Sequence, residues 1–304
     1  MRLPADPDAR SFDALHDDPE AWREVITALA REHGHGVDAE VRLQTAGTVL
    51  VALVGDERVI KLYPPFLHDH FEFERAMLAH LHGRLSLPTP QLLASGEHEG
   101  WPYLVMSQLA GDVLTATWPT MSESERLELL RTLGALVAEV HALPVGPVAG
   151  FAPRWLDFIA LQRQRCFTRQ QRTGLPAHLL AQLDDFIGGP VPEGWPTVLL
   201  TGEYTPFNLF TRDHRLVAMF DFGDGLVGAR EYDWLGPQCF LVAGDAARSR
   251  AFQAGLDVHI DGEKRLALMR LLLLHRYSSL RAQVRIEGWR SARNFEQLAA
   301  WLWP

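Results

Sequence analysis

Residues 197–233 read TVLLTGEYTPFNLFTRDHRLVAMFDFGDGLVGAREYD, and the rest of the chain takes its meaning from this segment. A β-rich run from Thr197 gives way to a polar loop, Asn208 enters a second run, and a third ends in Asp221-Phe222-Gly223. Glu203 precedes Asn208 by five positions. Asp221 follows Asn208 by thirteen, enough for an intervening hairpin to return it to Asn208's side. Phosphoryl transfer from a nucleotide needs metal ions held against the phosphates, compensation of charge on the moving group, and a carboxylate that orients the attacking hydroxyl. The spacing supplies candidates for these parts: Glu203 as the catalytic carboxylate, with Asn208 and Asp221 as hard oxygen ligands suited to Mg2+. A bare Asp-Phe-Gly is a weak signal, whereas the combined spacing is specific.

Upstream, a matching half-site occurs in the right order. Lys61 lies in the β-rich run Val59-Ile60-Lys61-Leu62, and Glu74 follows thirteen residues later on a predicted helix, Phe71 to Leu85. A lysine so placed reaches phosphate oxygens if an acid on the next helix holds it. Around this pair the apolar period alternates between the two regular structures. Residues 20–34 have helical spacing at Trp22, Ile26, Leu29 and Ala30. Residues 41–43, 48–54, 58–63, 91–96 and 101–107 read as strands, with Gly55-Asp56 as a turn. After Ala110-Gly111 the texture is mostly helical. Ser122 and Glu125 form a capping-box pattern before a helix that carries Leu129, Leu130, Leu133, Val137 and Val140 inward. Further helices are expected over about 155–171, 177–187 and from Asp245 onward. The expected fold class is α+β in two lobes: a β-rich N-terminal lobe, residues 1–108, with a helical extension, and a larger helical lobe, residues 109–304.

Composition narrows the field. With 304 residues, 47% hydrophobic and 22% charged, the chain reads as folded, apart from polar residues 1–18, which read as disordered. A net charge of −9 argues against a nucleic-acid backbone binder. Cys166 and Cys239 have neither disulfide-framework nor metal-ligand spacing, and are expected to be reduced core thiols. The first residues contain no apolar signal segment, and the greasiest stretch, Leu266 to Leu274, is short and contains Arg270. No membrane partner is therefore expected, and the location is expected to be cytoplasmic. The thirteen histidines show no zinc-ligand spacing. The five arginines between Arg276 and Arg293 read as a solvated helix face.

On these residues the chain resembles the aminoglycoside phosphotransferase family, relatives of choline and fructosamine kinases, from about Val41 to Gly236. The resemblance implies a two-lobed protein-kinase-like fold, ATP as donor with GTP as an alternative, Mg2+, and a small hydroxylated acceptor such as an aminoglycoside or other amino sugar. It also implies that Leu104 to Gly111 link the lobes, with backbone groups of Ser107 and Leu109 on the adenine edge and Met106 behind it. Thr48, in the sparse loop Thr45-Ala46-Gly47-Thr48, is the candidate phosphate contact there. Asp233 is expected to brace the catalytic loop and His141 to be a packed structural histidine.

The chain departs from the family's usual His-Gly-Asp at Thr201-Gly202-Glu203. The extra methylene of Glu203 moves its carboxylate by about 1.5 Å, and misplacement of that order costs roughly a hundredfold in rate unless the loop absorbs it. A nucleotide-binding pseudokinase with a regulatory or interaction role is therefore the alternative to an active kinase. Oligomeric state and the acceptor's identity stay open.

Overall fold

The computed structural model describes residues 3–5, 7–34, 40–44, 47–192 and 196–304. It divides into two units: Met1–Arg84 with Pro88–Ala110, and Leu85–Leu87 with Gly111–Pro304.

The first unit is a five-stranded sheet with helices on both faces. Its elements are α1 (Ala9–His16), α2 (Glu20–Glu32), β1 (Val41–Gln44), β2 (Leu50–Val54), β3 (Arg58–Leu62), α3 (His68–Leu81), β4 (Leu92–His98) and β5 (Trp101–Ser107). The strand order is β1-β2-β3-β5-β4, every neighbouring pair antiparallel. Period two sorts the side chains. Leu50, Ala52, Val54, Ile60, Leu62, Trp101, Tyr103 and Val105 face one way and form a core with Trp22, Ile26 and Leu29 of α2. Lys61, between Ile60 and Leu62, therefore points to the other face, where α3 lies.

The expectation of disorder over residues 1–18 is corrected for the described residues among them. Asp8 caps α1 by accepting from the Ser11 N–H, and Phe12 and Leu15, one turn apart, are buried in the same core as α2. Phe12 lies 6.1 Å from Trp101 between ring centroids, and Trp101 Nε1 donates to the Pro4 carbonyl. Two well-placed apolar side chains outweigh the polar composition that suggested disorder. Helix α3 also ends at Leu81, four residues short of the expected Leu85.

The second unit contains β6 (Asp112–Val113), α4 (Glu123–Ala142), α5 (Trp155–Arg172), β7 (Val198–Leu200), β8 (Leu209–Arg212), β9 (Arg215–Met219), β10 (Leu226–Gly228), α6 (Ala246–Leu256), α7 (Gly262–Leu274) and α8 (Phe295–Leu302), besides shorter helical turns. The capping box at Ser122 and Glu125 is present. Helices α4 and α6 meet at glycines: a Cβ on Gly134 would lie 2.4 Å from the Phe252 carbonyl oxygen, and one on Gly255 2.1 Å from that of Arg131. The backbones thus approach more closely than any side chain would allow. Cys166 and Cys239 are buried and unpaired, and burial pushes the Cys166 thiol up to about 11. Among the described residues no helix is long and apolar enough to cross a membrane.

Two short ladders position the chemistry. β7 pairs with β10, Leu200 opposite Leu226, and β8 pairs with β9, Leu209 opposite Met219. The loop that leaves β7 enters β8, and the loop that leaves β9 enters β10. Pairing at both ends therefore sets residues 201–208 beside residues 220–225.

Candidate active site

Each unit carries one group of the predicted residues. In the first, Lys61 Nζ donates to Glu74 Oε1 at 2.7 Å, and both side chains are buried, Glu74 to 1% exposure. The β3 register, Lys61 between Val51 of β2 and Leu104 of β5, fixes the lysine on a central strand, while Glu74 comes from the second turn of α3. A buried pair persists only with further hydrogen bonds, and the sequence reading missed one that Tyr63 supplies. Tyr63 Oη donates to Glu74 Oε2. With each carboxylate oxygen engaged by a different donor, Glu74 is held in one rotamer. Removal of the tyrosine hydroxyl in Tyr63→Phe is expected to lower stability by about 1.5 kcal/mol, with the urea midpoint falling at constant m-value.

The remaining first-unit candidates are more open. Thr48 is exposed in a bend before β2, and Thr45 and Ala46 lie outside the described residues. Ser107 ends β5; its N–H donates to the Gln91 carbonyl, and its Oγ accepts from the Gln91 N–H at 2.8 Å. Leu109 lies beyond the strand, outside the ladder.

In the second unit, residues 201–208 fold back on themselves. Asn208 Nδ2 donates to the Glu203 carbonyl at 3.2 Å and to Glu203 Oε2 at 3.4 Å, and the Asn208 N–H donates to the Thr205 carbonyl. This leaves the amide oxygen of Asn208 as its atom for a cation. The Phe220 N–H donates to the Asn208 carbonyl and ties the second loop to the first. Asp221 follows with φ +68, a left-handed conformation that aspartate tolerates better than most residues, and it is exposed. Amide and carboxylate oxygens make a donor set that fits Mg2+, which keeps most of its shell as water and phosphate. Among the described residues no group of three or more His, Cys, Asp or Glu is placed to hold a metal.

Glu203 is half-buried, and its environment is unfavourable to charge. Burial, then the carboxylates of Asp224 and Asp221, push it up to about 7, against the Asn208 hydrogen bond and the Arg276 charge. A carboxylate so poised is suited to accept a proton near neutral pH.

The base of the loop is pinned by Asp233, which is 1% exposed. Its carboxylate accepts from the Thr201 N–H at 3.1 Å and the Gly202 N–H at 2.9 Å, and His141 Nε2 lies 3.0 Å from Oδ2. The bracing expected of Asp233 is thus visible, and His141 is packed as expected.

Three contributors escaped the sequence reading. Arg276, read as part of a solvated face, places its guanidinium Nη1 2.8 Å from Asp224 Oδ1, and Tyr277 Oη donates to that same oxygen at 2.8 Å. His275 stacks on Tyr232 with centroids 4.7 Å apart, and burial lowers it to about 4. Its Nδ1 accepts from the Tyr277 N–H. No local pattern marks these residues.

Comparison with known proteins supplies the family. A model of the family described as "Phosphotransferase enzyme family" matches residues 30–267. No curated protein sequence matches the chain. Among solved structures, aminoglycoside phosphotransferase APH(3'')-Id from Streptomyces rimosus is similar at 20% identity and a TM-score of 0.63, over 83% of this chain and 98% of that one. A putative aminoglycoside phosphotransferase from Ralstonia eutropha is similar at 16% identity and a TM-score of 0.63, over 92% and 97% of the two chains. APH(2'')-IIa, solved in a ternary complex with streptomycin and ATP, is similar at 16% identity and a TM-score of 0.58, over 82% and 86%. At these identities the structures establish the fold, which is protein-kinase-like, and the family match covers most of the sequence. The chain belongs to the phosphotransferase enzyme family.

Proposed function

We propose that the protein is an ATP- and Mg2+-dependent O-phosphotransferase acting on a small hydroxylated molecule. The observation that carries this reading is the return of Asn208 onto Glu203 within one loop, with Asp221 at the start of the next. Lys61, held by Glu74 and Tyr63, would bind the α- and β-phosphates. Asn208 and Asp221 would hold Mg2+, which neutralises phosphate charge. Ser107 and Leu109 would meet the base edge, and Thr48 a phosphate. Glu203 would accept the proton of the acceptor hydroxyl as its oxygen bonds to the γ-phosphorus and the bond to the ADP oxygen breaks. An amino sugar is the leading acceptor class, supported by relatives such as the one solved with streptomycin and ATP.

Thermal unfolding with ATP or GTP, with and without Mg2+, tests the reading. At a hundred times its Kd a nucleotide stabilises the native state by about 2.7 kcal/mol. The wild type should show a Mg2+-dependent rise in Tm that Asp221→Asn removes. No rise with either nucleotide at millimolar concentration would end the kinase reading. A rise without phosphoryl transfer to water or to any hydroxyl acceptor would leave the pseudokinase alternative.

A further inference from the structure

We propose that Arg276 is a positioning residue for the catalytic loop, acting with Tyr277 through Asp224 to fix where Glu203 stands. The inference rests on the kinase reading for its purpose, though not for its geometry. Gly202, the residue before Glu203, has φ +84, and a Cβ on it would lie 2.4 Å from the Asp224 carbonyl oxygen. The Asp224 backbone is thus packed directly on the loop's turn, and any shift of Asp224 is a shift of the surface that Gly202 rests on.

Asp224 is in turn held from outside its own loop. The Arg276 guanidinium and the Tyr277 hydroxyl both bond its Oδ1, across 52 and 53 residues of sequence. Arg276 is itself fixed twice more: its N–H donates to Tyr232 Oη at 3.2 Å, and its guanidinium lies over the Phe158 ring at 5.7 Å. The adjoining His275 stacks on that same Tyr232 and accepts from the Tyr277 N–H at Nδ1. Consecutive residues 276 and 277 therefore hold one carboxylate whose own backbone packs on Gly202. This segment follows α7 and lies beyond residues 30–267, the span shared with the family model. The same loop carries Glu203, so what holds Gly202 also sets where the Glu203 backbone stands.

Hydrogen exchange of the metal-free protein, followed by mass spectrometry on peptides covering residues 199–208, tests this. In Arg276→Gln and in Tyr277→Phe, exchange of the loop amides should rise roughly tenfold, the scale of one lost charge-assisted bond. Peptides from α4 and from β2–β3 should be unchanged, as should all peptides in Arg285→Gln. Unaltered loop protection in both variants would overturn the proposal, and so would an equal loss of protection in every peptide. Hydrolysis of ATP, with water in place of the acceptor, gives a second readout. In Arg276→Gln, kcat should fall about tenfold with KM for ATP within roughly twofold, and Arg276→Lys should recover part of the loss. An unchanged kcat would likewise count against the proposal. Exchange is read without nucleotide, so loss of the role given to Arg276 and loss of the kinase reading, which the thermal shift tests, are distinguishable.

Discussion

Glu203→Gln is expected to lose phosphoryl transfer by a hundredfold or more while making the metal-free protein more stable at pH 8. The loss follows from removing the proton acceptor: general bases contribute about 10²–10⁴ in rate, and a loose phosphoryl-transfer transition state favours the lower part of that range. The gain follows from what the fold does to the carboxylate. Burial and the two neighbouring aspartates raise Glu203 to about 7, from 4.5 in the unfolded chain. A group whose folded value is raised contributes its full stability below the unfolded value and loses it as pH rises through the folded one. The wild type therefore carries a penalty that grows between about pH 4.5 and 7 and is complete at pH 8. Discounted for partial exposure, it is on the order of 2 kcal/mol. Glutamine carries no charge and escapes it. Urea unfolding of both proteins across this range should show the difference vanish below pH 4.5.

His275 runs the opposite way. Its value is lowered from 6.5 to about 4, so the stability it contributes is present above 6.5 and is lost as pH falls through 4. In the wild type the two slopes oppose each other between pH 4.5 and 6.5, and the difference between wild type and Glu203→Gln isolates the glutamate. An equal stability of the two proteins at pH 8 would show that the site does not disfavour the charge.

The second large effect is expected at Asp233. In Asp233→Ala the Thr201 and Gly202 N–H groups and His141 lose their common acceptor in a buried place. Unsatisfied buried donors of this kind cost about 1–3 kcal/mol each before relaxation, so a fall of about 3 kcal/mol is expected overall. ATP hydrolysis should fall roughly a hundredfold in the molecules that remain folded, because Gly202 is the residue that delivers Glu203. Asp233→Asn keeps one acceptor oxygen, and its amide nitrogen faces donors, so it should lie between wild type and alanine in both measurements. A wild-type rate in folded Asp233→Ala would show that Asp233 contributes to folding without setting the loop.

What was legible in the sequence was what is carried locally. The five- and thirteen-residue spacings of Glu203, Asn208 and Asp221 encode a loop and a hairpin, and the pairings of β7 with β10 and β8 with β9 are the physical form of that code. Lys61 and Glu74 were legible because a strand followed by a helix gives them one relative placement. The support behind the loop was not legible. Arg276 sits just after a helix ending, where a basic residue ordinarily complements the helix dipole, and nothing near it in sequence reports that Asp224 is its partner. Helix α1 escaped because it is only eight residues long with two large apolar side chains, Phe12 and Leu15, in a polar setting.

That first helix has a practical consequence for producing the protein. Hydropathy invites a trimmed version starting near Pro19, yet Phe12 and the Pro4 carbonyl lie against Trp101, and Leu15 is buried in the same core. Cutting there would bare an indole and its neighbours to water, creating an apolar patch of the kind that drives aggregation. An affinity tag is better placed where it leaves Leu3, Phe12 and Leu15 in that core.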